Sequence, residues 1–214
     1  RRSRLWLPGD ETGIPRNGLV ALYDPYRDTY GKNFLPVGSE TFALGVSLWS
    51  KSFGAESITV EGGYPDPDGG NNAYRVTAVT NGTSGALLTG VPILRPAYVT
   101  HSIGMQIKAV SVPEGNPLYV NIGGIKIASG LVNGDWGFRY CKYMSTTDST
   151  TCARVDLNSN PSSGQTVVFY AYHPQLNLGP TLFPYSPPVG APGTLQVGTD
   201  YSGHGNHLTL GATT

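Results

Sequence analysis

The residues of this chain with chemical potential fall into four groups. His204 and His207 flank Gly205-Asn206, with Asp200 just upstream. Zinc needs at least three converging ligands of this kind. Asp66, Asp68 and Asn71 form an oxygen-rich cluster around Gly69-Gly70, which is the donor chemistry calcium prefers. Pro67 stiffens that segment, however, and an Asx-Pro-Asx-Gly run is ordinary turn chemistry. Carboxylates are the third group: Glu40, Glu56, Glu61 and Glu114 are scattered through the chain. Acid/base catalysis needs a positioned pair, and none of these sits in such a motif. Ser202 lies in Ser-Gly-His-Gly rather than in the Gly-x-Ser-x-Gly elbow of a hydrolase nucleophile. His101 and His173 are isolated and read as strand residues satisfied by hydrogen bonds. No catalytic set emerges, and the expectation is a protein that is not an enzyme.

The fourth group is aromatic: 13 Tyr, 6 Phe and 3 Trp. Sugar rings stack on aromatic faces, and tyrosine adds a hydroxyl at its rim. The same surplus suits protein contacts, where Tyr is also enriched. Tyr64, Tyr119 and Tyr143 are the candidate exposed carbohydrate-binding rings. Trp49 and Trp136 sit among in-phase apolar neighbours and are expected in the core.

The elements that must position these residues are strands. Gly 29 and Pro 17 together exceed a fifth of the 214 residues, yet the segments between them alternate apolar and polar. Short strands joined by Gly/Pro turns account for both facts. Tyr74, Val76 and Ala78 alternate with Ala73, Arg75 and Thr77. Ile103, Met105, Ile107 and Ala109 alternate with Ser102, Gly104, Gln106 and Lys108, predicting one buried and one wet face. Leu118, Val120 and Ile122 follow, then Ile125 and Ile127. No long stretch shows a helical period.

Residues 134–157 read as a hairpin. Trp136, Phe138 and Tyr140 would face the core with Ala153, Val155 and Leu157. Arg139, Cys141, Cys152, Arg154 and Asp156 would take the opposite face. One register brings Cys141 opposite Cys152 but sets Arg139 against Arg154. A shift by two pairs Arg139 with Asp156 and parts the sulfurs. The sequence leaves the choice open.

Composition excludes other classes. Charged residues are 13% and the formal net charge is zero, so the basic surplus of a nucleic-acid binder or a polybasic membrane anchor is missing. Arg1-Arg2-Ser3-Arg4 is the one local excess and reads as a solvated end. No apolar run approaches the roughly 18 residues that span a bilayer, and no signal-peptide pattern is present. The start at Arg1 reads as a processed product or a fragment. Two cysteines are too few for a disulfide scaffold.

The order of several motifs carries a family resemblance. The apolar strand Val167–Tyr172 is followed by Pro174-Gln175-Leu176-Asn177, Gly179 and a Phe183-Pro184-Tyr185 turn closing on Gly190-Ala191. Upstream stand Asn33-Phe34-Leu35, Ser39-Glu40-Thr41-Phe42, Leu48-Trp49-Ser50-Lys51 and Tyr64-Pro65-Asp66-Pro67-Asp68-Gly69. Residues 33–192 thereby resemble the carbohydrate-binding-module-like jelly rolls of bacteriophage tail fibre and tail proteins. Those members usually carry Ala-Gln-Leu-Glu where this chain has Pro174-Gln175-Leu176-Asn177. A second resemblance is split. Gly18–Tyr23 and Asp200-Tyr201-Ser202-Gly203-His204-Gly205-Asn206-His207 resemble the opening of laminin-G/concanavalin-like lectin domains. That motif accounts for His204 and His207 as turn formers, not ligands.

These resemblances imply an all-β jelly-roll β-sandwich inserted in a partial lectin-like sheet or stalk (18–32 and 193–214), behind an extended arm (1–17). They imply a virion module on the particle exterior, tail rather than head, that holds host surface glycan without chemistry. The expected partners are other virion proteins and further copies of itself, a trimer above all. Neither nucleic acid nor membrane insertion is expected. No cofactor is required. A structural calcium at Glu40 or at Asp66 and Asp68 is the one metal the family analogy allows. The alternatives are a capsid decoration or neck protein, and an accessory binding module of a glycoside hydrolase.

Overall fold

The computed structural model describes residues 32–45, 48–90, 92–95, 100–122, 130–144, 146–147, 149–178, 184–188, 197–198 and 208–209. The chain divides into two compact units, Gly31–Ala191 and a second that comprises Arg1–Tyr30 and Pro192–Thr214. Within the second of these only one ladder is described, Val197↔Thr209 and Gly198↔Leu208. The arm 1–17, the strand 18–23, Ile125, Ile127 and the Asp200–His207 motif lie outside the described residues.

The larger unit is an all-β sandwich of the jelly-roll class. Its strands in chain order are β1 (Trp49–Lys51), β2 (Ala55–Tyr64), β3 (Ala73–Asn81), β4 (Ala86–Gly90), β5 (Ile93–Arg95), β6 (Thr100–Ser111), β7 (Leu118–Ile122), β8 (Gly137–Met144), β9 (Ser149–Thr151), β10 (Ala153–Leu157) and β11 (Ser163–Leu178). One sheet runs β1-β4-β10-β7 and the other β2-β3-β11-β6-β8, while β5 and β9 pair separately. The named ladders are antiparallel, with most neighbours distant in sequence.

Period two builds the core. Val76 and Ala78 of β3, Val167, Phe169 and Ala171 of β11, and Ile103, Met105, Ile107 and Ala109 of β6 all point inward and are buried. Opposite them stand Leu88 of β4, Leu118, Val120 and Ile122 of β7, and Ala153, Val155 and Leu157 of β10. Trp49 closes one end of the core, as expected. It is fully buried, stacks on Phe42 at 5.1 Å and donates its indole N–H to the Ser39 carbonyl at 2.8 Å. Burying each such side chain stabilises the fold by about 1.5–3 kcal/mol.

The expected hairpin 134–157 does not form. β8 pairs with β6 at the edge of the five-stranded sheet, whereas β10 pairs with β4 and β7 in the other sheet. The chain therefore crosses between sheets where a turn was expected. The face assignment of the first half is inverted as well. Cys141 points inward and is fully buried beside Ile103, while Phe138 and Tyr140 face outward, 41% and 46% exposed. Trp136 is half-buried and joins the outward rings rather than the core. The physical reason is that alternation reports which residues share a face, not which face is inward. An edge strand can fill its inner positions with Gly137, Cys141 and the side of Tyr143.

Neither proposed pairing of the arginines exists. Arg154 instead bridges Asp156 on its own strand at 2.9 Å, and Asp156 is buried rather than at the surface. Cys141 lies in β8 and Cys152 between β9 and β10, and both thiols are free. Burial pushes the Cys141 thiol up to about 12. Cys152 receives a hydrogen bond from the Thr89 hydroxyl at 3.1 Å.

Candidate functional site

The outward face of the five-stranded sheet can be read row by row from the registers. Glu61, Arg75, Tyr170 and Lys108 form one row across β2, β3, β11 and β6. Tyr172, Gln106 and Phe138 form the next, then Gln175, Gly104 and Tyr140, then Asn177, Ser102 and Lys142. Tyr172, Gln175, Gly104, Asn177 and Ser102 are nonetheless buried, so this side of the sheet is open mainly at Gln106, Lys108, Tyr170 and the β8 residues. Sheet strands lie about 4.8 Å apart, so each row is a short ruler of side chains at that spacing.

Aromatic rings run almost without a break along this face. Tyr64 stacks on Tyr170 at 5.2 Å. Trp136 lies 6.2 Å from Tyr170 and 6.5 Å from Tyr172. Tyr172 stacks on His173 at 3.6 Å, and His173 on Tyr185 at 3.6 Å with the planes 6° apart. Phe138 and Tyr140 form a second pair, 6.2 Å between centroids. The Arg75 guanidinium lies 6.0 Å from the Tyr64 ring centroid, and Tyr64 donates its hydroxyl to Glu61 at 2.9 Å. The contact with Tyr64, then the charges of Glu61 and Tyr170, hold Arg75 more firmly protonated than usual.

A pocket of about 210 Å³ opens among Gln106, Phe138, His173, Gln175, Pro184 and Tyr185. By register, Gly104 stands between Gln175 and Tyr140 and adds no side chain there. This volume is below the roughly 300–1,000 Å³ of pockets that enclose drug-sized ligands. It suits one small ring at a time. The lining offers two amides, an imidazole and a phenol as hydrogen-bonding groups beside apolar ring faces. No carboxylate is among these lining residues.

The pocket's far wall depends on a bulge. Tyr172 pairs with Gln106 and Gln175 with Gly104, so His173 and Pro174 stand against the single residue between. His173 has φ 50°, a left-handed conformation for a side-chain-bearing residue. Such strain costs on the order of 1–3 kcal/mol and persists where surroundings over-determine it. Asn33 supplies that constraint. Fully buried, it donates to the carbonyls of Pro174 at 2.9 Å and Ser186 at 3.0 Å. Its side-chain oxygen accepts from the N–H groups of Leu35 at 3.2 Å and Leu176 at 3.0 Å. One side chain thereby ties the β11 bulge to the segment that carries Tyr185. Burial lowers the His173 pKa below its ordinary 6.5, against the opposite pull of Asp68 and Asp66.

The loop between β2 and β3 buttresses the same wall. Asp66 accepts hydrogen bonds from the N–H groups of Asp68, Gly70 and Asn72 and from the Asn72 amide, at 2.8–3.0 Å. Those donors hold its carboxyl below the usual range, the Asn72 N–H first. Tyr172 donates its hydroxyl to Asp68 at 3.1 Å. Burial, then that bond, pushes the Tyr172 phenol up to about 12.

The proposed ring candidates separate. Tyr64 joins the aromatic face. Tyr119 lies on β7 in the other sheet, opposite Asp156. Tyr143 turns toward the core side of β8, because it shares the parity of Cys141. The calcium candidates do not converge on an ion. Asp66 is saturated by its own loop, and Asp68 receives Tyr172. Glu40 lies apart from both, near Tyr185, with Oε2 buried and without a hydrogen-bond partner. No cluster of three or more His, Cys, Asp or Glu side chains fit for a metal occurs among the described residues. Tyr170, Tyr172, Trp136, Phe138, His173, Gln106 and Gln175 were not singled out as site residues. The signal for the outward rings was present in the alternation, since Phe138 and Tyr140 share parity, but the pairing partner that fixes their face was not.

No family model and no curated protein matches the sequence. Several solved structures do, and they are carbohydrate-binding modules with a β-sandwich fold. The CBM22-1 xylan-binding domain of Paenibacillus barcinonensis Xyn10C is 13% identical, with 69% of this chain and 95% of that one covered, at a TM-score of 0.48. The C-terminal family 22 module of Clostridium thermocellum Xyn10B is 12% identical over 70% of this chain and 99% of that one, TM-score 0.47. A CBM61 module in complex with β-1,4-galactotriose is 15% identical over 69% and 98%, TM-score 0.43.

Proposed function

We propose that the chain is a non-catalytic glycan-binding module that lays a carbohydrate chain across the outward face of its five-stranded sheet. The observation that carries this reading is the run of rings from Tyr64 through Tyr170, Trp136, Tyr172 and His173 to Tyr185. A soluble sandwich gains nothing by keeping Phe138 and Tyr140 outside unless something covers them. Pyranose rings have apolar faces that stack on such platforms and hydroxyls that the Gln106 and Gln175 amides can read. The adjoining pocket holds one ring while its neighbours in the glycan rest on the platform.

The setting is a bacteriophage particle, in which the module is carried on the exterior as part of a homo-oligomer, a trimer, and meets host surface carbohydrate. That part of the reading is supported by the motif order in residues 33–192.

Affinity electrophoresis of the protein in gels containing xylan, β-1,4-galactan or host-type surface polysaccharide tests the binding. Retention should be lost in Tyr170→Ala and kept in Tyr119→Ala, which alters the opposite sheet. Equal retention of both variants, or none by the parent with any polysaccharide, refutes the proposed face. Release of reducing ends during incubation refutes the non-catalytic part.

A further inference from the structure

The glycan reading requires flat rings along the face, but it does not require that the middle ring of the pocket wall be an imidazole. His173 is held between the faces of Tyr172 and Tyr185 at 3.6 Å on each side. It sits on a strained bulge and lines the pocket directly. Of the groups around it, Tyr172 comes from β11, and Tyr185 from the 184–188 segment with Glu40 near it. Asp66 and Asp68 come from the β2–β3 loop. The remaining pocket lining, Gln106, Phe138, Gln175 and Pro184, is uncharged.

We propose that His173 is a pH latch on the glycan pocket: neutral, it completes the Tyr172–His173–Tyr185 stack that walls the pocket, and protonated, it leaves the stack and lets the wall open. The inference rests on the glycan reading for its ligand, but the latch itself is a property of the three rings. Histidine is the one side chain whose ordinary titration lies in the physiological range. A charge between the buried Tyr172 ring and the half-buried Tyr185 ring must shed water to stay there, while an imidazolium swung outward regains it. Asp66 and Asp68 oppose this by attracting the proton, and burial outweighs them. The closed wall therefore takes up its proton at a lower pH than the open one. Affinity is full above about pH 6.5 and falls as pH drops from there through the closed-state value, by at most about tenfold per pH unit for one proton.

The test has two arms on the full chain. In the first, imidazole and tyrosine ring signals are followed by NMR from pH 8 to pH 4.5. The His173 midpoint should lie below 6.5, with Tyr185 ring signals moving on the same curve. A midpoint at or above 6.5, or a Tyr185 ring that ignores the titration, overturns the latch, and this arm needs neither a variant nor a glycan. In the second, retention by xylan and β-1,4-galactan gels is compared at pH 7.5 and pH 5.0 for the parent and His173→Phe, which keeps a flat ring but takes no proton. Retention of the parent should fall and that of His173→Phe should hold. An equal fall in both overturns the latch. Absence of retention of the parent already at pH 7.5 overturns the glycan reading alone, leaving the NMR arm to decide the latch.

Discussion

Phe138→Ala separates an outward ring from a core ring, and its cost follows from where the ring stands. A buried Phe replaced by Ala costs about 3–5 kcal/mol, because the lost transfer energy is joined by a cavity that the core cannot close. Phe169, fully buried between the sheets, is such a residue. Phe138 is 41% exposed, so about three-fifths of its surface is covered, mostly along the open face beside Tyr140. Full burial of a Phe is worth about 1.5–3 kcal/mol, so three-fifths of that is about 1–2 kcal/mol, and no enclosed cavity is left behind. For a domain of this size each kcal/mol moves the melting temperature by about 2–4 °C. Phe138→Ala should therefore lower Tm by about 2–8 °C, and Phe169→Ala by about 6–20 °C.

Urea unfolding followed by tryptophan fluorescence gives the two midpoints on one scale, provided the slope m is unchanged. The same preparations go into affinity gels. The reasoning requires opposite rankings in the two assays: Phe169→Ala worst in stability, Phe138→Ala worst in retention per folded molecule. If Phe138→Ala destabilises as much as Phe169→Ala, the ring is a core residue, β8 is turned the other way, and the aromatic face loses one of its edges.

Four further outcomes follow from the same geometry. Asn33→Ala leaves four backbone partners without their bonds at a fully buried site; at about 1–3 kcal/mol for each group that finds no water, the loss in urea should exceed about 3 kcal/mol, and Asn33→Asp, which sets a buried carboxylate oxygen against the Pro174 and Ser186 carbonyls, should cost at least as much at pH 7. Gly104→Val adds a branched side chain at a buried position between Gln175 and Tyr140, and should abolish retention per folded molecule while costing about 1–3 kcal/mol of stability by overpacking; unchanged retention per folded molecule removes the pocket from the binding site. The Asp66 carboxyl is lowered from 3.8 in the folded state, so its contribution to stability is full above 3.8 and is lost as pH falls through the folded value; Asp66→Asn should flatten the acid limb of a pH–stability curve, and an unaltered limb refutes this. Iodoacetamide at pH 8 should label Cys152 in the native protein and Cys141 only after unfolding, since burial holds the Cys141 thiol near 12; labelling of Cys141 first contradicts its inward placement.

The sandwich was legible because its central strands alternate cleanly. β6 shows it over Met105–Ala109: Ile103, Met105, Ile107 and Ala109 are buried, and Gln106 and Lys108 are not, whereas Ser102 and Gly104, expected on the wet face, are buried too. A central strand has neighbours on both sides, so its apolar face has nowhere to go but inward. The edge strand β8 misled for the complementary reason. Its larger apolar residues were assigned to the core because burial is the usual fate of Trp and Phe. The sheet instead puts Cys141 inside and the rings outside. The site was legible only at Tyr64. Tyr170 and Tyr172 were visible as strand residues in β11, but their outward aim depends on Phe169 and Ala171 being inward. His173 was read as an isolated strand residue; it is in β11, but its place between two tyrosines depends on a bulge and on Asn33, which lies more than a hundred residues away in the chain.

Misplaced hydrophobicity is the clue to function in this fold. The inner face of the five-stranded sheet already has enough apolar area to pack against its partner, with Val76, Ile107, Phe169 and Leu176 fully or almost fully buried. The outer face then carries Tyr64, Tyr170, Trp136, Tyr172, Phe138 and Tyr140, which folding alone does not need. Tyr172 is buried among them, but keeping rings such as Phe138 and Tyr140 wet costs solubility and invites edge-to-edge pairing through β8. Lys108 and Lys142 sit among them and keep that face from becoming a continuous apolar patch. Rings spaced by polar and charged side chains are poor at docking a flat protein surface, whose core must exclude such charges. They suit a ligand that is itself banded, with apolar ring faces separated by hydroxyls. Charge-removing substitutions should therefore trade one partner for another. Lys108→Leu with Lys142→Leu is expected to raise self-association in sedimentation while leaving glycan retention within about twofold, since neither lysine lines the pocket. Loss of retention without self-association would instead make the lysines glycan contacts and the ligand an acidic one.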